Sequence, residues 1–532
     1  MASPVPLTRS SLPAGPAGAG GSAARPRFAL ATLCAALFLT FLDTTIVSVG
    51  LASVQANLHT DVAELQWVVN GYALPFASLM LAFGSLGDRI GRKKVLVGGL
   101  VVFIAGGVLS ALAPDPTLLI AGRAIMGAGA AASEPGTLSM IRHLFLDEEE
   151  RAHALGAWAA VSGLALALGP VIGGALVGFG SFRAIFWFSA GAGVLVLAAA
   201  AHELPEAHGE RRGRFDLAGV ATVTVCLAAA TFAIIQGESN GYRSAVVDAL
   251  FAVAAVGGAA FLVAEHRAES PLLNLTFLRR PPFASSLVVA FALFFGIFSI
   301  FFFTALYLQV VVGLSAYRTA GEFAAMTAAM LVGSAAGGFL VPAIGARLPM
   351  AVGCVLAGGG MFATDAVLAV GHPNEVLLAL SLALGGLGFG LGVVPVTATA
   401  LNEVPPEHSG MAASATNTSR ELGAVMGVAV LGALVNAHLT ADLSARLHAL
   451  HIPNVFQALV LQAVETGQVP TSAPSGDVAK YGQIVNRVIR AAYGAFRDGL
   501  HISLIVAGTA ILAGALVALL GVARRRPSGP AA

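Results

Sequence analysis

The chain has 532 residues, of which 57% are hydrophobic and 11% charged. Soluble domains carry about 25% charged residues, so this composition excludes an ordinary water-soluble enzyme, a nucleic-acid binder and a disordered chain, and points to a bilayer as solvent. Net charge is +1, so the information lies in where the charges sit. The 63 glycines suit helices that pack closely in lipid. Cys34, Cys226 and Cys354 lie inside apolar stretches and read as small core residues, with no spacing that suggests a disulfide framework or a metal site.

Residues 1–27 are rich in Pro, Ala, Gly and Ser and read as a disordered cytoplasmic tail. They are not a signal peptide, because the apolar run that follows is long enough to span. Apolar segments of spanning length predict fourteen helices, near 28–51, 65–86, 95–113, 117–141, 154–179, 184–202, 216–236, 245–265, 283–310, 319–343, 348–370, 375–400, 409–435 and 502–522. With the N-terminus inside, 19 of the 29 Lys and Arg fall on cytoplasmic segments and 3 in short outside loops. That bias supports an even number of spans with both termini cytoplasmic. The expected fold class is an all-α polytopic membrane protein: a six-helix half (28–202), two inserted helices with basic linkers (203–282), a second six-helix half (283–522) and a short tail (523–532). Two parallel halves around a midplane site are a transporter architecture.

Helix 1 carries Asp43 about 22 Å from its start, at or beyond mid-bilayer. A carboxylate there costs several kcal/mol unless paired or protonated, which makes it a functional candidate by default. Between helices 2 and 3 runs Gly84-Ser85-Leu86-Gly87-Asp88-Arg89-Ile90-Gly91-Arg92-Lys93-Lys94, read as a short basic loop at the cytoplasmic boundary. Helix 4 places Arg123 at a depth similar to that of Asp43, so the two are expected to pair. Glu134 follows eleven residues later, about 16 Å further along the same face. Helix 5 holds Gly163 and then Gly169-Pro170-Val171-Ile172-Gly173-Gly174, a small-residue packing face with a bend. In the second half Glu322 and Asp365 count as embedded, and helix 13 carries Asn417-Thr418-Ser419-Arg420-Glu421. The outside loop 436–501 shows amphipathic spacing over 440–466 and a second short helix near 478–498, read as a membrane-surface hairpin.

These motifs resemble the major facilitator superfamily, in particular its fourteen-helix drug:proton antiporter branch. The 84–94 segment is similar to that family's G-x-x-x-D-R-x-G-R-K/R loop. Leu42-Asp43-Thr44-Thr45-Ile46-Val47-Ser48-Val49 resembles L-D-x-T-I-V-N-V-A-L-P, departing at Ser48, Gly50 and Ala52. Arg123-Ala-Ile-Met126-Gly127-Ala-Gly129 looks like R-x-x-Q-G-x-G with Met126 in place of Gln. The helix 5 run is similar to the antiporter signature G-x-x-x-G-P-x-x-G-G, with Gly163 offset and Ala165 nearer the first position. Residues 417–423 resemble N-T-S-R-Q-L-G, and Ser181-Phe182-Arg183-Ala184-Ile185-Phe186 is similar to S-W-R-W-I-F.

The resemblance implies a proton-coupled antiporter that exports small lipophilic compounds (drugs, antibiotics or secondary metabolites) by alternating access, as a multi-pass protein of the cell membrane. It implies proton coupling through Asp43 and Arg123; Glu134, which no family motif requires, joins them as a coupling candidate because it shares the Arg123 face of helix 4. The expected substrate cavity takes in Asp43, Glu134, Met126, Glu322 and Asp365. The conformational gate is expected at Gly84, Asp88, Arg89, Gly91, Arg92 and Arg420, and the antiporter motif at Gly169, Pro170, Gly173 and Gly174. The expected partners are the transported small molecule, protons and lipid, with no nucleic acid, no metal and no cofactor beyond the coupling proton, in a monomer. A proton-coupled uptake symporter and a non-transporting receptor or scaffold are the alternatives. A membrane enzyme fits less well, since no P-loop, nucleophile or metal cluster stands out.

Overall fold

The computed structural model describes residues 26–145, 147–206, 216–268, 271–273, 275–368, 373–405, 409–450 and 478–522. Among the described residues the chain folds into fourteen membrane-length helices: α1 Pro26–Leu58, α2 Val62–Ile90, α3 Arg92–Leu112, α4 Pro116–Leu144, α5 Glu148–Phe179, α6 Arg183–Glu203, α7 Leu217–Asn240, α8 Ala245–Arg267, α9 Pro281–Val310, α10 Ala316–Ile344, α11 Arg347–Leu368, α12 Glu375–Asn402, α13 Ser409–Ala449 and α14 Val478–Gly521. Twelve of these helices contain a stretch of 18 residues apolar enough to cross a membrane. The other two, α2 and α4, are 29 residues each and carry the polar groups Gln66, Asn70, Arg123 and Glu134. Two helices change form midway: α1 tightens into a 3₁₀ turn at Ser48–Gly50, and α9 widens into a π turn at Ile300–Thr304.

The starts of the helices follow from their caps. Asp61 and Glu64 form a reciprocal capping box on α2. Asp115 caps α4 just before Pro116, and Asp216, Ser244, Ser315 and Asn374 each accept a hydrogen bond from a first-turn backbone N–H of α7, α8, α10 and α12.

The two halves pack by one rule. In the first, α1 lies on α5 and α6, α2 and α3 on α4, and α3 on α6. In the second, α9 lies on α13 and α14, α10 and α11 on α12, and α11 on α14. Adding eight to each helix number of the first half gives the second. The halves meet along two seams, α2 with α13 and α5 with α10, which exchange under the same rule. The inserted α7 packs on α8 and lies over the first seam, against both α2 and α13, with Trp67 and Phe232 rings 5.3 Å apart. Large apolar side chains such as Leu195, Val256, Phe339 and Leu520 are 69–87% exposed, which suits a lipid-facing belt.

Two expected loops fold differently. The 87–94 segment is helical except for Gly91, where α2 ends and α3 begins. Gly91 has φ +112°, and a Cβ there would meet the Glu206 carboxylate, so only glycine fits the turn. The basic residues thus extend the two helices rather than form a loop.

The expected surface hairpin is instead an outward continuation of α13 and α14. At 41 and 44 residues these helices run about 62 and 66 Å, twice the hydrocarbon thickness of about 30 Å. Leu439, Leu443 and Leu447 on one pack against Ala491, Ala492 and Ala495 on the other, so their apolar stripes bury each other rather than lie on lipid. Residues 451–477, with the rest of the predicted amphipathic stretch, lie outside the described residues, as do 1–25, the basic run 211–214 and the tail 523–532. This extension marks one face of the bundle (the hairpin face), and Gly91 marks the opposite one.

Close helix approach depends on particular glycines. A Cβ on Gly127 of α4 would collide with the Tyr72 carbonyl of α2, whereas one on Gly98 of α3 would meet nothing within 4 Å. Gly127→Ala should lower the melting temperature of the detergent-purified protein by a few degrees, since overpacking costs about 1–3 kcal/mol. Gly98→Ala should leave a fluorescence-monitored melt unchanged.

Candidate functional site: two buried polar networks

The first network closes around Asp43 in α1. Arg123 of α4 pairs with Asp43 through Nη1 and Oδ2, and both side chains are fully buried. The Ser189 hydroxyl of α6 donates to the other oxygen, Oδ1, at 2.9 Å. Arg123 Nε donates to the Val68 carbonyl of α2 at 2.9 Å, and its guanidinium lies 4.4 Å above the Tyr72 ring. The Tyr72 hydroxyl donates to the Thr40 carbonyl of α1 at 2.7 Å. Four helices of the first half thus converge on one ion pair. A charge this deep is tolerable only when paired and hydrogen-bonded.

The Gly-Pro segment of α5 supports this centre from the side. Gly169 and Gly173 lie where a Cβ would strike Thr45 and Ile46, immediately beyond Asp43 on α1. The Thr45 hydroxyl donates to the Leu166 carbonyl at 2.9 Å. Gly174 faces Ala316 and Ala320 of α10 in the other half. Pro170 sits within α5 without ending it. The segment therefore joins the helix bearing Asp43 to the opposite half.

The second network crosses between the halves, nearer the Gly91 face. The Asn417 amide of α13 donates to Glu134 Oε1 of α4 at 2.6 Å. Arg420 donates to Asn417 Oδ1 at 3.2 Å and to the Thr397 hydroxyl of α12, and lies 5.6 Å from the Phe294 ring centre. Glu421 is 1% exposed, and neither carboxylate oxygen has a hydrogen-bond partner among the described residues. It lies within electrostatic reach of Glu134 and Arg420. Tyr72 lies within reach of acids in both networks, Asp43 in one and Glu134 and Glu421 in the other.

Other expected positions fall elsewhere. Met126 is buried against α3, with its sulfur 3.8 Å from the Ser110 hydroxyl and its stem against Gly106, so it packs within the first half and does not join the acids. Glu322 lies only two turns into α10, near Arg318 and Glu375, which pair at 2.5 Å. Asp365 bonds to His501 of α14 at 2.8 Å and lines a separate cavity of about 290 Å³ with Leu368, Arg497, Asp498 and Leu500. Counting residues placed both acids inside the apolar run, but their helices bring them to the hairpin end of the second half.

At the Gly91 turn, Arg92 is buried beside Gly136, and Gly84 faces Ser414 of α13 across the seam. Arg89 is half-buried. Lys93 binds the end of α6 through Glu206 and the Ala201 carbonyl. The side chain of Asp88 lies outside those described.

Ser189 gave no signal in the sequence: it is an uncharged hydroxyl in an apolar helix. Tyr72 was visible only as an aromatic in helix 2, without its place beneath Arg123.

The chain matches the sequence profile of the Major Facilitator Superfamily over residues 33–428. It belongs to that superfamily. It is 32% identical over 479 residues to the multidrug resistance protein Stp of Mycobacterium tuberculosis, covering 90% of this chain and 88% of that one. It is 28% identical to the tetracenomycin C resistance and export protein of Streptomyces glaucescens, covering 94% and 92%. A solved bacterial homolog of the human lysosomal transporter Spinster, inward-facing and unoccupied, superposes with a TM-score of 0.64 at 17% identity, covering 96% of this chain and 100% of that one. The chain is a multi-pass membrane transporter, not an enzyme, and its relatives are drug and antibiotic efflux proteins.

If Asn417 and Glu134 form the link between the halves, their removal is non-additive. A double-mutant cycle of Glu134→Ala and Asn417→Ala, followed by unfolding in mixed micelles, should give a coupling of about 0.6–1.7 kcal/mol, the range for interhelical hydrogen bonds in membrane bundles. Additive losses would remove the link.

Proposed function

We propose that this superfamily member is a proton-coupled antiporter that exports small lipophilic compounds across the cytoplasmic membrane, with both termini cytoplasmic and the hairpin face outside. The observation that carries this reading is the fully buried Asp43–Arg123 pair on two helices of one half. A proton arriving from the outer side neutralises Asp43. Arg123 then loses its counter-charge but keeps the Val68 carbonyl and the Tyr72 ring. That change alters the balance of contacts holding α1 to α4, and α4 carries Glu134 about 16 Å further on. Glu134 in turn touches α13 of the other half through Asn417, so both networks are coupled along one helix.

The remaining roles follow from position. Gly84, Asp88, Arg89, Gly91, Arg92 and Arg420 act at the cytoplasmic gate, where α2 meets α13. The Gly169–Gly174 seam favours export, because it ties α5 to α1 beside the coupling acid and to α10 across the seam. Lipophilic cations fit an interior holding Glu134 and Glu421, and the names of the relatives extend the range to multidrug substrates and to tetracenomycin C. The protein works as a monomer with the proton as its only coupling ion.

The test is transport in proteoliposomes with an imposed pH gradient, screened over cationic dyes, antibiotics and neutral polyketide-like compounds. Asp43→Asn should abolish gradient-driven accumulation while inserting into the membrane at wild-type levels. Full gradient-driven transport by that variant would overturn the assignment. Accumulation in the same direction as the proton flow would favour the uptake symporter.

A further inference from the structure

We propose that the Ser189 hydroxyl is the partner that Asp43 keeps in both of its charge states, which allows the carboxyl to release Arg123 without being stranded in the bundle. The proposal rests on the antiporter reading above. Asp43 divides its oxygens between two helices: Oδ2 meets Arg123 of α4 and Oδ1 meets Ser189 of α6. Both partner side chains are at most 1% exposed, so in this conformation both contacts are shielded from bulk water.

The two partners differ in chemistry. A guanidinium has donors only, whereas a hydroxyl both donates and accepts. Arg123 therefore serves the carboxylate and has nothing to offer the hydrogen of a carboxylic acid. Ser189 serves both. With Asp43 ionised, the serine O–H donates to Oδ1. With one proton added at Oδ1, the new O–H donates to Ser189 Oγ, and the serine hydrogen turns to the backbone carbonyl one turn back in α6, a common habit of helical serines. No covalent bond breaks, and the only addition is the incoming proton.

Among the described residues, Arg123 and Ser189 are the side chains hydrogen-bonded to the Asp43 carboxylate, and of the two only Ser189 can accept. Arg123 faces Asp43 from α4, and Tyr72 approaches from α2 with its hydroxyl already given to the Thr40 carbonyl. On the α5 side the nearby Thr45 hydroxyl is given to the Leu166 carbonyl. Glu134 and Glu421 are the further acids within reach of Tyr72. On release Arg123 keeps the Val68 carbonyl on Nε and the Tyr72 ring beneath its plane, while Nη1 joins Nη2, which has no hydrogen-bond partner among the described residues.

Ser189→Ala, Ser189→Thr and Asp43→Asn can be compared in proteoliposomes with ethidium as probe, in two assays. One is ethidium–ethidium exchange without a pH gradient, which needs no return of the empty, protonated carrier. The other is uphill ethidium transport driven by an imposed gradient. Ser189→Ala should lower gradient-driven turnover about tenfold more than it lowers exchange, because the O–H of the protonated carboxyl is left without a partner. Ser189→Thr should restore it. Full gradient-driven turnover in Ser189→Ala, with Asp43→Asn inactive, overturns this proposal alone. Equal loss of both assays, unrescued by threonine, reduces Ser189 to packing and overturns it as well. Gradient-driven transport by Asp43→Asn overturns the antiporter reading and this proposal with it.

Discussion

A carboxylate and a guanidinium enclosed in an apolar bundle constrain everything around them. Removing two charges from water is expensive, and a buried pair often does no more for stability than well-packed apolar side chains would. Breaking such a pair by deleting one partner typically costs 3–5 kcal/mol, because the other charge is left behind. The fold answers that cost with further partners: Ser189 for the carboxylate, and Val68 and Tyr72 for the guanidinium. A pair retained at such expense is better suited to switching than to holding the fold together, since one proton removes its charge–charge attraction.

The architecture lets a local change at that pair act at a distance. Each half repeats one packing scheme, and the halves touch along two seams related by the same rule. Glycines bring backbones into contact where α4 meets α2 and where α5 meets α1, so side chains cannot cushion a shift between these helices. Arg123 and Glu134 share a face of α4, and Glu134 is bonded to the opposite half. The inserted α7 and α8 stand outside this scheme, with α7 laid over the α2–α13 seam.

Much of this was legible in the sequence. Apolar run lengths and the distribution of Lys and Arg led to fourteen helices, because lipid tolerates so few charges. The same intolerance singled out Asp43 and Arg123 as partners before any geometry. Polar character misled where helices leave the bilayer. Residues 87–90 read as a loop from their charges and 436–449 as the start of a membrane-surface hairpin, but a helix does not stop at the membrane surface when its next turns find partners. Met126, Glu322 and Asp365 were placed by depth or motif position, which fixes neither the face of the helix nor the neighbour it meets. Ser189 and the Glu134–Asn417 contact depend on which helices become neighbours, and a linear pattern does not carry that.

The central claim is that the proton driving export is taken up and released at Asp43. The most direct measurement is the number of protons released into weakly buffered solution, followed with a pH-indicator dye, when ethidium is added to the purified protein in detergent. Wild-type protein is expected to release protons on binding, and Asp43→Asn to bind ethidium with that release lost. Undiminished release from Asp43→Asn would contradict the account.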